Sequence, residues 1–176
     1  IDLNPEMVEA CVARGLSVSG GDALRVVESL PDESLGGLIA IQVIEHLEPA
    51  YLSQFLQAAY FKLRPGGRLV LETINPACWV AFFESYIRDL THVRPIHPET
   101  LQYMLQASGF GSVELMYRSP IAEEARLERV TARPEHFGAA TVDPVTELAS
   151  AFNRNVDRLN GRLFTFQDFA AVAVRS

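Results

Sequence analysis

The chain has 176 residues, of which 48% are hydrophobic and 21% are charged, and its formal net charge is −7. This length suits one domain with one core, and the acidic balance argues against sequence-independent binding of nucleic acid, which needs a basic surface. No apolar run approaches the about 18 residues that a membrane-spanning helix needs, so a soluble globular protein is predicted.

Strand and helix patterns alternate through the first two thirds of the chain, which predicts βαβ units and a mainly parallel sheet. Asn4 is a good N-cap and Pro5 suits the first helical position, so the chain begins in the end of a strand and enters a helix. In chain order the predicted elements are a strand tail at 1–3, a helix over 5–14, a short strand near 16–19, a Gly-Gly-Asp turn at 20–22, a central strand within 35–47, an amphipathic helix over 49–63 and a strand over 68–74.

The remaining third is less regular. An apolar helix is predicted over 77–90, where packing of the Trp79–Phe83 cluster in the core is favoured over a cover for a ligand. The later elements are a helix over 98–109, a strand over 111–121, a polar helical insertion over 122–162 and an antiparallel edge strand over 163–176. We therefore expect one domain, in which 1–121 forms an α/β part before the insertion and the last strand.

Ligands of open α/β sheets bind beyond the carboxyl ends of the strands, and three such ends carry suitable residues. Asp2 ends the first strand and can accept both hydroxyls of a ribose. Asp22 ends the second strand and can accept from an adenine amino group, and Gln42 ends the third. The structural alternative for Asp22 is the cap of a turn.

Four segments, "IDLNPEMVEACVARG", "GDAL", "LGGLIAIQVIEHL" and "LRPGGRLVLETINP", resemble class I S-adenosylmethionine-dependent methyltransferases in their order and spacing. The resemblance implies a Rossmann-like, doubly wound α/β sheet, S-adenosylmethionine as cofactor and S-adenosylhomocysteine as product. It also implies the cofactor-binding set, with Asp2 at the ribose, Asp22 and Ala23 at the adenine, and Ile41 and Gln42 beside the methionine part. Leu3 and Gly21 are the other predicted cofactor-binding residues.

In one respect the sequence departs from this family. The family's first strand and glycine-rich turn, which hold the carboxypropyl end of the cofactor, would precede "IDLNP", so we expect a domain that is incomplete at its N-terminus. A catalytically inactive, methyltransferase-like binding module is therefore the alternative function. A nicotinamide-dependent dehydrogenase shares the ribose acid but does not explain "GDA" together with "EHL" and "LRPGG".

Methyl transfer is an in-line displacement that needs a base only for weakly acidic hydroxyls. His46 and Glu45 are the predicted catalytic residues, with His46 as the base, and their alternative is a solvated helix start. The pair also resembles the metal-binding Glu-His of ubiquinone-pathway and small-RNA O-methyltransferases. Those enzymes have a further Glu where Gln42 stands, so a divalent metal is the less favoured interpretation.

The segment "RDLTHVRPIHPETL" resembles one in methyltransferases found with glycan and O-antigen assembly genes. His92, Arg94 and His97, together with Asn75, are predicted to contact a substrate, and their alternative is to pin a loop or turn. We therefore expect methylation of an oxygen of a small molecule or glycan. The two cysteines lack metal or redox spacing, which favours the cytoplasm, and the oligomeric state is left open.

Overall fold

The computed structural model describes residues 1–131 and 144–176, so 132–143 of the predicted insertion lie outside the described residues. The helices are α1 (Pro5–Ala13), α2 (Ala23–Ser29), α3 (Pro49–Lys62), α4 (Pro98–Ala107) and α5 (Pro144–Leu163). The strands are β1 (Leu35–Ile41), β2 (Leu63–Ile74), β3 (Ser112–Pro120) and β4 (Phe166–Val174). Short 3₁₀ turns at Ile44–His46 and Glu123–Ala125 and a π-helical turn at Ala81–Tyr86 complete the list.

The four strands form one sheet in the order β1-β2-β4-β3. β1 and β2 are parallel, and β4 is antiparallel to both β2 and β3, which confirms the predicted doubly wound, mainly parallel sheet with an antiparallel last strand. The prediction that the last strand lies at an edge is wrong, because β4 lies between two strands. Phe169, Ala171 and Ala173 are fully buried on one face of β4, and Ala170 is buried on the other, which fits a strand covered on both faces.

Capping residues set where the helices begin. The side chain of Asn4 accepts a hydrogen bond from the amide of Glu6, and His97 accepts one from the amide of Glu99 at the start of α4. The predicted strand near 16–19 is reduced to a single parallel bridge between Asp2 and Gly20. β2 begins at Leu63, the last residue of the predicted helix over 49–63, so it starts before the predicted strand over 68–74.

The core lies where α3 and α4 pack on the sheet. Its fully buried side chains include Leu52, Phe55, Leu56, Leu69, Leu71, Leu101, Leu105 and Phe169. Truncating one such leucine to alanine typically costs about 2–5 kcal/mol. This core fixes the carboxyl ends of β1 and β2, where the candidate site lies.

The segment over 77–90 differs from its prediction. It contains a π-helical turn, in which Ala81 and Tyr86 are buried, whereas Trp79 and Phe83 are 54% and 45% exposed. The prediction that the Trp79–Phe83 cluster packs in the core is therefore wrong for Trp79 and Phe83. Across residues 1–131 and 144–176, no helix has the length and apolar character needed to cross a membrane.

Candidate active site

The first part of the site is an edge formed by Asp2 and the Gly-Gly-Asp turn. The amide of Gly21 donates to the carbonyl of Asp2 at 3.0 Å, and Asp2 Oδ1 accepts from the amide of Asn4 at 2.8 Å. Gly21 has a φ of +151°, which favours glycine, and a Cβ there would lie 3.2 Å from Val26 Cγ2. The structure therefore brings Asp2 and Gly21, two of the predicted cofactor-binding residues, together.

Asp22 is held by several donors at the start of α2. Its Oδ1 accepts from the amide of Arg25 at 2.9 Å, and Tyr51, whose hydroxyl accepts from the amide of Leu24, is also hydrogen-bonded to Asp22. The Arg25 amide, followed by Tyr51, lowers the pKa of Asp22 below its usual value. Asp22 thus caps α2 in the structure. A carboxylate has about four acceptor sites, so the capping bonds leave sites that can accept from an adenine amino group.

Gln42 follows β1 in a strained conformation. Its φ is +53°, in the left-handed region that non-glycine residues seldom adopt outside functional or tightly held sites. Its amide donates to the carbonyl of Glu72 at 2.9 Å, and its side chain donates to Asp168 Oδ1 at 3.2 Å. Among the described residues, no hydrogen bond joins Gln42 to Asp2 or Asp22.

Exposed apolar side chains accompany these polar groups. Leu3 is 74% exposed and Ile41, the last residue of β1, is 55% exposed. Small-molecule sites combine apolar surface with a few fixed polar groups, so this set fits a nucleoside cofactor. The half-buried Ala23 begins α2 directly after Asp22.

The second part of the site is a cluster of Glu45, His46 and His92. One metal-ligating atom of each residue lies within 4.8 Å of those of the other two. The Glu45 side chain is buried, and neither carboxylate oxygen has a hydrogen-bond partner among the described residues. The carbonyl of Glu45 accepts from the amides of Val93 at 2.9 Å and Arg94 at 3.4 Å, which holds the loop that carries His92 against the end of β1.

Hydrogen bonds determine which nitrogen of His46 carries the proton. Thr91 Oγ1 lies 2.6 Å from Asp89 Oδ1 and 2.9 Å from His46 Nδ1. The hydroxyl and amide of Thr91 lower the pKa of Asp89, so this carboxylate is ionised and only accepts. The Thr91 proton is therefore donated to Asp89, His46 Nδ1–H donates to Thr91, and neutral His46 has its lone pair on Nε2.

A hydrogen bond to the backbone likewise determines which nitrogen of His92 carries the proton. Its Nδ1 lies 2.7 Å from the carbonyl oxygen of Tyr86, which only accepts, so Nδ1 carries the proton and Nε2 the lone pair. The ring also stacks on that of Tyr86 with centroids 4.6 Å apart. Asp89 and Thr91 were not predicted to belong to the site. An Asp two residues before a Thr is nevertheless a spacing typical of side-chain-capped turns.

The other predicted substrate residues lie apart from this cluster. Asn75 is buried and its amide is engaged by the backbone, donating to Phe166 and accepting from Ala77, so it closes the turn after β2. Arg94 and His97 line a cavity of about 330 Å³ between their loop, α3 and α4. The structure thus brings His92 to the predicted catalytic pair and places Arg94 and His97 in a neighbouring cavity.

Comparisons with known proteins indicate the family of this chain. A family model described as a methyltransferase domain matches residues 1–71. A solved S-adenosylmethionine-dependent methyltransferase from Archaeoglobus fulgidus is 31% identical, with a TM-score of 0.83, and the match covers 98% of this chain and 73% of that one. No curated protein sequence matches the chain.

More distant structures share the fold. A methyltransferase from Thermotoga maritima is 14% identical, with a TM-score of 0.63, over 99% of this chain and 71% of its own. Phosphoethanolamine N-methyltransferase 2 of Haemonchus contortus, solved with S-adenosyl-L-methionine, is 15% identical, with a TM-score of 0.56, over 95% of this chain and 39% of its own.

The fold and the match to the Archaeoglobus fulgidus protein define the class of this molecule. The chain belongs to the S-adenosylmethionine-dependent methyltransferases. S-adenosylmethionine is accordingly its cofactor and S-adenosylhomocysteine the product of the reaction.

Proposed function

We propose that this methyltransferase acts on a hydroxyl oxygen of a small molecule or glycan, and that His46 accepts the proton of that hydroxyl. A sugar hydroxyl is too weakly acidic to react readily without a base. The observation that carries this proposal is the hydrogen-bond chain from Asp89 through Thr91 to His46 Nδ1, since it leaves Nε2 of His46 as a proton acceptor.

The cofactor is assigned to the edge that carries the acidic residues. The residues proposed to hold it are Asp2 and Leu3 at the ribose, Gly21, Asp22 and Ala23 at the adenine, and Ile41 and Gln42 beside the methionine part. When bound, S-adenosylmethionine supplies a methyl carbon on a positively charged sulfur. The task of the chain is then to align the acceptor with that carbon and to exclude water.

The proposed transfer removes a proton from the acceptor hydroxyl and adds a methyl group to its oxygen. The oxygen–hydrogen bond of the acceptor breaks as His46 Nε2 takes the proton. The bound cofactor would supply its methyl group to that oxygen and would leave as S-adenosylhomocysteine. The ionised Asp89, linked to the imidazole through Thr91, stabilises the imidazolium that results.

The acceptor class is inferred from the loop and the cavity beside the cluster. Arg94 and His97 offer donors that suit a sugar hydroxyl or a phosphate, and Nε2 of the nearby His92 can accept from a hydroxyl. The cavity of about 330 Å³ that Arg94 and His97 line falls within the usual size range of small-molecule sites. A role in glycan biosynthesis rests on these residues and on the resemblance of "RDLTHVRPIHPETL" to glycan-associated methyltransferases.

The proposed compartment is the cytoplasm. Cys11 and Cys78 are both free, and Cys78 is buried. Unpaired cysteines are usual where thiols are kept reduced.

The test is a methylation assay on the full-length protein with a panel of monosaccharides and sugar phosphates, read by mass spectrometry of the products. For an accepted sugar we expect His46→Gln to lower kcat by about 10²–10⁴-fold, the usual contribution of a base, with little change in KM for the cofactor. Glu48→Gln, which alters an exposed carboxylate near the cluster, is the matched control and retains activity. An unchanged kcat in His46→Gln contradicts the assignment of the base.

A further inference from the structure

We propose that Trp79 and Phe83 form a platform on which a pyranose ring of the acceptor stacks, an inference that rests on the proposed function for its acceptor class. The two rings lie with centroids 4.7 Å apart and planes tilted by 37°. Trp79 is 54% exposed and Phe83 is 45% exposed. Single exposed apolar residues are common on protein surfaces, whereas adjoining exposed apolar side chains mark interaction sites.

The platform is carried by a segment that is fixed to the body of the protein. Cys78 and Ala81 of this segment are buried in a cluster with Ile121, and Phe164 packs against that cluster. Cys78 Sγ also donates to the carbonyl of Leu163 at 3.7 Å. Because the small side chains are held inward, the two large rings remain at the surface and need no rearrangement to receive a ligand.

This segment leads from the end of β2 to the proposed base. It begins where Asn75, directly after β2, accepts from the amide of Ala77 at 3.1 Å. It ends at Thr91, whose hydroxyl lies 2.9 Å from Nδ1 of His46. The platform therefore lies on the stretch of chain that connects the carboxyl end of one strand to the base that follows its neighbour.

A continuous row of rings links the platform to the base. Phe83 contacts Phe82 with centroids 5.2 Å apart, and Phe82 stacks on Tyr86 at 5.6 Å. Tyr86 stacks on His92, and His92 lies against His46, each with centroids 4.6 Å apart. Phe83 precedes Tyr86 by three residues, which is about one helical turn. An acceptor with more than one sugar ring can therefore place a hydroxyl at His46 and rest another ring on the platform.

The chemistry of the platform and its surroundings suits a sugar. The face of an aromatic ring carries partial negative charge, which attracts the carbon-bound hydrogens on the apolar face of a pyranose. An open depression of about 620 Å³ lies along the same segment, and its lining includes Asp89 and Thr91, which hold His46, and three polar side chains, Glu84, Ser85 and Arg88. Aromatic rings beside a few polar side chains are the usual composition of a small-molecule site.

Trp79 is the single tryptophan of the chain, so its fluorescence reports on the platform. Lactose, cellobiose and the disaccharide of N-acetylglucosamine are titrated separately into the full-length protein in the presence of S-adenosylhomocysteine, with selective excitation of tryptophan. We expect at least one of them to shift the emission to shorter wavelength in a saturable way, because a stacked sugar displaces water from the indole ring.

Phe83→Ala tests the platform and keeps the fluorescent reporter. We expect a dissociation constant about 3–10-fold higher than that of the wild type, the usual contribution of an aromatic contact. Phe83→Tyr retains a stacking ring and is expected to bind like the wild type. Phe61→Ala, which removes a 56% exposed ring from α3, is the matched control and also binds like the wild type. Urea unfolding verifies that each variant is folded.

For a disaccharide that is methylated, the platform predicts a particular kinetic effect. We expect Trp79→Ala to raise KM for the acceptor about 3–10-fold and to leave kcat little changed, because the platform binds a part of the acceptor away from the reacting oxygen. A base variant has the opposite pattern, since it lowers kcat.

These measurements also separate the platform from the proposed function. A saturable shift that Phe83→Ala weakens upholds the platform even where no hydroxyl is methylated, a result that counts against the proposed function alone. Methylation of a disaccharide with an unchanged KM in Trp79→Ala overturns the platform and upholds the proposed function.

Three fluorescence results also overturn the platform. The first is an emission spectrum that none of the sugars changes, and the second is a shift that Phe83→Ala does not weaken. The third is a shift with rising protein concentration in the absence of sugar, because it would mean that a second copy of the chain covers the rings.

Discussion

The side chain of Asp22 caps α2 and is also proposed to bind the adenine of the cofactor. Its carboxylate caps α2 through the amide of Arg25 and is hydrogen-bonded to Tyr51, and these bonds lower its pKa. Because the folded-state pKa lies below the unfolded value of about 3.9, the ionised form stabilises the folded protein above that value. This contribution is lost as the pH falls through the folded-state pKa.

Asp22→Asn tests this titration with little change in shape. Asn is also a good N-cap but does not ionise, so we expect the stability of the variant to fall less steeply than that of the wild type below about pH 4. Urea unfolding at a series of pH values measures the difference. Parallel stability curves for the two proteins contradict the account.

The candidate residues could be named from the sequence, but their grouping could not. Glu45, His46 and His92 were each predicted, but His92 is brought to the pair by hydrogen bonds from its loop to the carbonyl of Glu45 and to the ring of His46. Sequence spacing carries no information on such a long-range contact. The same limit explains why the buried, unpartnered state of the Glu45 carboxylate was not foreseen.

Among the elements, α5 shows how a helix can hold an extended segment. Asn160 Oδ1 accepts from the amide of Leu127 at 2.9 Å, and its Nδ2 donates to the carbonyl of Leu127 at 2.8 Å. Asn153, two turns earlier, makes the same pair of bonds with Val130. The two amides imitate a neighbouring strand and fix the stretch between Leu127 and Val130.

Asn160→Ala removes two of these hydrogen bonds. We expect a loss of about 1–2 kcal/mol in the free energy of unfolding, with faster hydrogen exchange at the amide of Leu127. Asn155→Ala, at an exposed position of the same helix, is the control and should change stability by less than about 0.5 kcal/mol. Unchanged exchange at Leu127 would show that the segment is held by other contacts.

Element type was predictable where local chemistry determines it. Asn4, Pro5 and the apolar periodicity of α3 were sufficient for their helices. The position of β4 was not, because an apolar run reports burial on both faces but not which strands lie beside it. Trp79 and Phe83 were misplaced for a related reason, since periodicity does not show whether another element covers a helix face.

At the scale of the whole molecule, three backbone hydrogen bonds assemble the site from distant parts of the chain. Gly21 bonds Asp2, Gln42 bonds Glu72, and Val93 bonds Glu45, at distances of 2.9–3.0 Å. Gln42 and the cluster follow β1 of the sheet that the core beneath α3 and α4 holds in place, whereas Asp2 lies in a separate bridge with Gly20. A variant of either part can therefore be interpreted only after its fold has been verified.

Calorimetric titration of S-adenosylhomocysteine into the full-length protein tests the central claim most directly. We expect one site per chain and an affinity about 10–100-fold lower in Asp2→Ala, because hydrogen bonds to a charged group contribute about 1.5–3 kcal/mol. Asp32→Ala, at an exposed ion pair with Lys62, is the control and binds like the wild type. Absence of binding to the wild-type protein, or equal affinity in Asp2→Ala, would contradict the assignment of the cofactor site.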